Sequence, residues 1–234
     1  MAFFYVALDY DTQGENYQFA KSLADEVQSD KYGFKVNLDS IADFSEGAKN
    51  PRGFLEDVVS LGKPVFLDMK MWNGGRTMSN IAKGASGIGV DIINMYPHAG
   101  GRFMEKVAKS LEGETKLFGL TVLTHYTNED TQWLYGLDLP DAVRMLSIMN
   151  YENGADGIVV PPTQLDTVND IPLLKLCPGI RPSWYNNQKD NSQEQIATPS
   201  NAVNNGANYL VVGSPIRKAC NPVDALESIL QNPF

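Results

Sequence analysis

The sequence predicts an α/β fold, a (β/α)8 TIM barrel, built as a single domain over residues 1–234. Three observations point to it. Eight short apolar runs of strand length alternate with longer stretches whose apolar residues recur at helical spacing. Several of these stretches end in Gly directly before the next apolar run, which suits left-handed caps leading into parallel strands. No Gly-x-Gly-x-x-Gly follows the first run, so an open doubly wound sheet, which the alternation also permits, loses its most direct support.

The first strand is expected over Phe3 to Asp9 and the second over Tyr32 to Leu38, with "NYQFAKSLADEVQ" as the helix between them. "RGFLEDVVSLG" precedes a third strand from Pro64 to Lys70, and "SNIAKGASGIG" a fourth from Val90 to Met95. "RFMEKVAKSLEG" leads to a fifth from Leu117 to Leu123, and "DAVRMLSIMNYENG" to a sixth from Gly157 to Val160. The shorter "TQLDTVND" and "TPSNAVNNG" fill the helical places before strands at Leu173 to Cys177 and Tyr209 to Gly213, and "NPVDALESILQN" follows the last strand. The glycine stops stand in "SLGKPVFLD", "GIGVDIINM", "ENGADGIVV" and "NNGANYLVV".

Composition narrows the class of partner. The chain is 43% hydrophobic, ample for a core, and carries 19 basic against 28 acidic residues, a net charge of −9. No basic cluster is present to track a phosphate backbone, which argues against a nucleic-acid partner. Cys177 and Cys220 make no disulfide framework, and no run reaches the roughly 18 apolar residues of a membrane span. "MAFFYVALD" reads as a strand rather than a secretory signal, so a cytoplasmic protein with no membrane partner is expected.

Charges at strand ends carry the chemistry. In "PVFLDMK", strand periodicity aims Phe66, Asp68 and Lys70 one way and Leu67 and Met69 the other. Asp9 ends the first strand and Lys35 interrupts the second, so two acids and two bases are expected at one barrel mouth. Buried salt bridges that merely fix the barrel would account for some of them. Four charges at the ends of three neighbouring strands exceed what a fold needs, because each is costly to desolvate unless paired. An acid beside a substrate anion destabilises the bound ground state, while a lysine stabilises developing negative charge and donates a proton to carbon. Loss of carbon dioxide fits the pair, as would isomerisation or aldol-type cleavage through a carbanion.

The segments "LCPGIRP" and "YLVVGSPI" fall after strands seven and eight, where barrels commonly hold phosphate; Gly179, Gly213 and Ser214 could permit close approach and Arg181 could supply charge. Ordinary turns would read the same way. His98 and His125 follow strands four and five, but neither has cysteines or carboxylates at metal-site spacing, so no catalytic metal is expected.

Taken together, "VALDY", "FKVNLD", "VFLDMK", "TVLT", "CPGIRP", "ATPSNAV" and "GANYLVVGSPI" resemble the orotidine 5′-phosphate decarboxylase family in order and approximate spacing, over nearly the whole chain. The resemblance implies a homodimer with sites near the subunit interface, a small-molecule nucleotide substrate, and no cofactor or metal. It implies catalytic roles for Asp9, Lys35, Asp68 and Lys70: Asp9 and Lys35 at the ribose and in the charge network, Asp68 facing the departing carboxylate, Lys70 protonating the pyrimidine carbon. Asn73 is the fifth catalytic position implied, standing where the family usually has an Asp that enters the neighbouring subunit's site. The further positions implied to bind substrate are Thr77, Thr124, His125, Pro182, Gln193, Gly213 and Ser214.

Departures cluster around the expected ligand. His125 stands where a Ser commonly follows "TVLT", Asn37 replaces the Gly after "KV", and Ser214 replaces the Arg of Gly-Arg-Pro-Ile. The family's Asp-Gln-x-Arg appears as Ser192-Gln193-Glu194-Gln195, leaving Arg217 or Arg76 to compensate for lost charge. Orotidine 5′-phosphate decarboxylation is the leading expectation. The alternatives are a related lyase, decarboxylase or isomerase acting on another small acid or phosphate ester, or a catalytically silent nucleotide-binding barrel.

Overall fold

The computed structural model describes residues 2–185 and 194–231. Strand β1 (Phe3–Leu8) leads through α1 (Gln13–Glu26) to β2 (Tyr32–Asn37), and α2 (Leu38–Ile41) and α3 (Pro51–Ser60) lead to β3 (Val65–Met71). Helix α4 (Gly75–Ile88) precedes β4 (Ile92–Met95); a 3-10 turn at Pro97–Ala99 and α5 (Gly101–Ala108) precede β5 (Lys116–Leu120). Then come α6 (Asn128–Tyr135), α7 (Leu139–Glu152), β6 (Gly157–Val159), a 3-10 segment at Pro162–Val168 and β7 (Leu174–Cys177). The chain closes with α8 (Pro199–Asn204), β8 (Tyr209–Val212), α9 (Ser214–Arg217) and α10 (Pro222–Gln231).

All eight strands are parallel and pair in sequence order, with β8 returning to β1, so the sheet is a closed barrel and the open-sheet alternative falls away. Local chemistry sets the starts and stops. Thr12 and Glu15 form a capping box at the start of α1, and Asn50 accepts the Gly53 N–H at the start of α3. Gly62, Gly89, Gly154 and Gly206, the four expected stops, all have positive φ, between 72° and 99°. At Gly89 this αL cap closes α4, and β4 begins three residues later, a turn an L-residue would make only with strain. No helix among the described residues is long and apolar enough to cross a membrane.

Two apolar layers follow from strand alternation. Outward residues such as Val6, Val36, Leu67, Ile93 and Val212 pack beneath the helices. Inward residues Tyr5, Ala7, Phe66, Ile92, Phe118, Leu120, Val159, Leu176 and Val211 fill the barrel. Tyr5 lies 5.8 Å from Phe66 and 6.0 Å from Tyr209, whose ring lies 5.8 Å from Phe118, so aromatic rings plug the amino-terminal end. Within the barrel the plug leaves room for a cavity at the carboxyl ends of the strands, where barrels place their sites.

That plug depends on glycine in β6. A Cβ on Gly157 would lie 2.4 Å from Phe118 ring carbons and 2.7 Å from the Leu174 carbonyl oxygen. Gly157→Ala is expected to cost about 1–3 kcal/mol in urea unfolding. Gly84→Ala, in α4 with nothing within 4 Å, is expected to gain about 0.5–1 kcal/mol. Equal stability of the two variants would contradict this packing.

Candidate active site

The four charges expected at the mouth meet there. Lys35 Nζ lies 3.1 Å from Asp9 Oδ1 and 3.9 Å from Asp68 Oδ2, and Lys70 Nζ donates to the same Asp68 oxygen at 2.6 Å. Asn37 closes a smaller ring: its Oδ1 accepts from Lys35 Nζ at 2.5 Å and its Nδ2 donates to Asp9 Oδ1 at 2.6 Å. The amide that replaces the expected Gly is thus a working part of the network.

The path of β3 departs from regular alternation. Leu67 pairs with Ile93 and Met71 with Met95, so Asp68, Met69 and Lys70 face the single residue Asn94. Lys70 has φ of +46°, the one positive value at a non-glycine among the described residues. This conformation costs roughly 1–2 kcal/mol, so something must hold it. Asn94 does so: its Oδ1 accepts the Lys70 backbone N–H at 2.7 Å while its Nδ2 donates to Asp68 Oδ1 at 2.6 Å. Lys70 therefore reaches the mouth through a bulge rather than by the straight alternation expected of the strand.

Asp68 is only 9% exposed. Burial raises its pKa, but the charges of Lys35 and Lys70 and the hydrogen bonds from Lys70 and Asn94 outweigh that effect and hold the carboxyl below its usual range. The acid is consequently a fixed negative charge at ordinary pH.

Around this cluster lies a cavity of about 460 Å³, bordered also by Phe66, Leu120, Val159 and Val211 beneath and by Thr124, His125, Gly179, Arg181, Gly213, Ser214, Arg217 and Lys218 above. A Cβ on Gly213 would come within 3.2 Å of Asp9 Oδ2, so a side chain there would press on that carboxylate. Thr124 is buried, and its carbonyl accepts the N–H groups of Glu194 and Gln195 at 3.1 and 2.9 Å. Gln195 does not border the cavity; it donates to the Tyr126 carbonyl at 3.1 Å and accepts from the Thr163 hydroxyl.

Not every expected position gathers here. Asn73 is exposed and its Oδ1 accepts the Gly74 N–H at 2.7 Å; Thr77 sits in the first turn of α4, and neither borders the cavity. Pro182 is buried and does not border the cavity, and Gln193 lies outside the described residues. Arg76 is exposed and does not border the cavity, whereas Arg217 does. His98 is absent from the lining and stacks on Tyr135 at 5.5 Å; burial lowers its pKa. Among the described residues no group of three or more His, Cys, Asp or Glu is gathered that could hold a metal ion.

Sequence reasoning missed Asn94, although a signal existed: it is the lone polar residue in the buried strand "IINM". Asn94→Ala would orphan the Lys70 N–H and Asp68 Oδ1, at about 1–3 kcal/mol for each partner. Urea unfolding is expected to show that loss, and a change below about 0.5 kcal/mol, typical of a neutral surface substitution, would contradict the clamp.

Comparison with known proteins bears on what this arrangement is. The family model described as the orotidine 5′-phosphate decarboxylase / HUMPS family matches residues 3–229. The orotidine 5′-phosphate decarboxylase of Campylobacter jejuni is 32% identical over 97% of both chains, and that of Campylobacter concisus 30% identical over 97% of both. In fold, the crystal structure of orotidine 5′-phosphate decarboxylase from Lactobacillus acidophilus superposes with a TM-score of 0.79 at 24% identity, covering 98% of this chain and 97% of that one. With a match that spans almost every described strand and helix, this chain belongs to the orotidine 5′-phosphate decarboxylase / HUMPS family.

Proposed function

We propose that the chain decarboxylates orotidine 5′-phosphate to uridine 5′-monophosphate, using only its own side chains. One observation carries this reading: the contact chain Lys70, Asp68, Lys35, Asp9 lies in a cavity whose apolar floor suits a pyrimidine ring. Among the described residues, the charged groups bordering the cavity are five cations and two carboxylates, in a protein of net charge −9. An anionic ligand matches that excess.

In this reading the substrate carboxylate is set against Asp68, which its two lysines keep ionised, and the repulsion is relieved as the carbon–carbon bond breaks. Carbon dioxide leaves and the bonding electron pair stays on the ring carbon. Lys70 stabilises that carbanion and transfers a proton from Nζ to it, then regains a proton from solvent; its side chain is 39% exposed, so water has access. Asp9 and Lys35 hold the ribose, Thr124 and His125 border the base, and Gly213 and Ser214 lie toward the phosphate. Pro182 and Gln193 would also bind the nucleotide.

The proposal extends to a homodimer. Trp72, 69% exposed, lies 6.3 Å from Tyr96 and 6.0 Å from His98, forming an aromatic surface beside Asn73. A second copy seated there would bring Asn73 and Thr77 toward the partner's site.

His125 supports a second reading, in which a related lyase, decarboxylase or isomerase acts on another small acid or phosphate ester, because its imidazole borders the cavity and can donate or accept. Ultraviolet-monitored turnover of orotidine 5′-phosphate tests the two. Lys70→Ala is expected to reduce kcat by at least about 10²- to 10⁴-fold while the fold persists. Unchanged turnover would remove Lys70 from the mechanism. No turnover by the folded wild type would favour the second substrate class, or a silent nucleotide-binding barrel if uridine 5′-monophosphate still binds.

A further inference from the structure

The two sides of the cavity differ in the charges that border them. On the β1 to β3 side, Asp9, Lys35, Asp68 and Lys70 compensate one another. The side after β7 and β8 carries Arg181, Arg217 and Lys218 and, among the described residues, no carboxylate. The chain as a whole is acidic, so a wall of cations here is not the average character of its surface.

Arg217 is the most informative of the three. It takes part in no ion pair among the described residues, and its Nε is buried without a hydrogen-bond partner. Its guanidinium carbon lies 5.3 Å from the centre of the Tyr10 ring, and the Tyr10 hydroxyl donates to the Arg217 carbonyl at 3.4 Å. The ring contact fixes the guanidinium plane without using any of its N–H groups. A buried N–H held in place with no acceptor is unfavourable unless a ligand supplies one. The edge formed by Nε and one terminal nitrogen offers two parallel donors, the geometry that matches two oxygens of a tetrahedral dianion.

Ser214 stands one turn earlier on the same short helix and also borders the cavity, so its hydroxyl can add a hydrogen bond but no charge. Arg76, the other arginine considered as a source of that charge, does not border the cavity. We infer that Arg217 grips the phosphate of the ligand, so that the guanidinium of this site comes from the end of α9 rather than from position 214. The inference rests on the nucleotide reading for the identity of the ligand, but only on the cavity for the binding of an anion.

Titration calorimetry of the folded chain with uridine 5′-monophosphate, uridine and inorganic phosphate tests it. Arg217→Ala is expected to weaken uridine 5′-monophosphate by about 10- to 100-fold while leaving uridine unchanged. Arg217→Lys should recover part of the loss, because it restores charge without the fork. Adding Ser214→Arg to the Arg217→Ala chain should recover more. Unchanged affinity for uridine 5′-monophosphate in Arg217→Ala overturns the inference and leaves the nucleotide reading standing. Equal losses for nucleotide and nucleoside overturn it too, since Arg217 would then be shaping the pocket. If the wild type binds inorganic phosphate but not the nucleotide, and Arg217→Ala loses the phosphate, the inference stands and the nucleotide reading falls. A wild type that binds none of the three overturns both.

Discussion

Asp68 is a carboxylate taken almost wholly out of water, and the barrel mouth is organised around keeping it charged. Desolvation alone would drive it towards the neutral acid. Two ammonium groups approach one of its oxygens from different strands, Lys70 at 2.6 Å and Lys35 at 3.9 Å, while Asn94 donates to the other. Removing any one partner would leave buried charge less compensated, which is the costly side of such networks. Lys35 in turn is held by Asp9 and Asn37, so the arrangement spans β1, β2, β3 and β4.

The barrel supplies what the network cannot supply for itself. Its aromatic plug closes one end and its strands bring residues distant in sequence to one rim. The bulge in β3 then supplies the fine placement: Lys70 leaves the regular strand path at the point where a straight extension would keep Asp68 and Lys70 in successive layers. Its unfavourable αL backbone is offset by the Asn94 hydrogen bonds, so strain and electrostatics are coupled through one amide.

Much of this was legible in the amino-acid order because the signals are local. Strand and helix periodicities, and four glycines at helix ends, need only short windows to be read. Asp9, Lys35, Asp68 and Lys70 were legible because charges at the ends of buried strands are anomalous wherever they occur. Asn94 and the bulge were not, since an αL lysine has no sequence mark and its support comes from a neighbouring strand 24 residues away. Asn37 was read as a lost glycine because its two partners, on β2 and just beyond β1, become adjacent only once strand register is known. Arg217 and Arg76 looked equivalent for a similar reason: only the helix geometry after β8 shows which one reaches the cavity.

The most direct test is a ¹³C NMR titration of the aspartate carboxyls, with Asp68 assigned by difference from Asp68→Asn. The Asp68 midpoint is expected below the ordinary value of 3.8. A folded pKa below the unfolded one means that the ionised network contributes stability above the unfolded pKa, and that this is lost as pH falls through the folded pKa. Acid unfolding of the wild type should therefore steepen below about pH 4, more than in Asp68→Asn. A midpoint at or above 3.8 in the intact fold would mean that burial prevails over Lys35, Lys70 and Asn94, and would contradict the network as described.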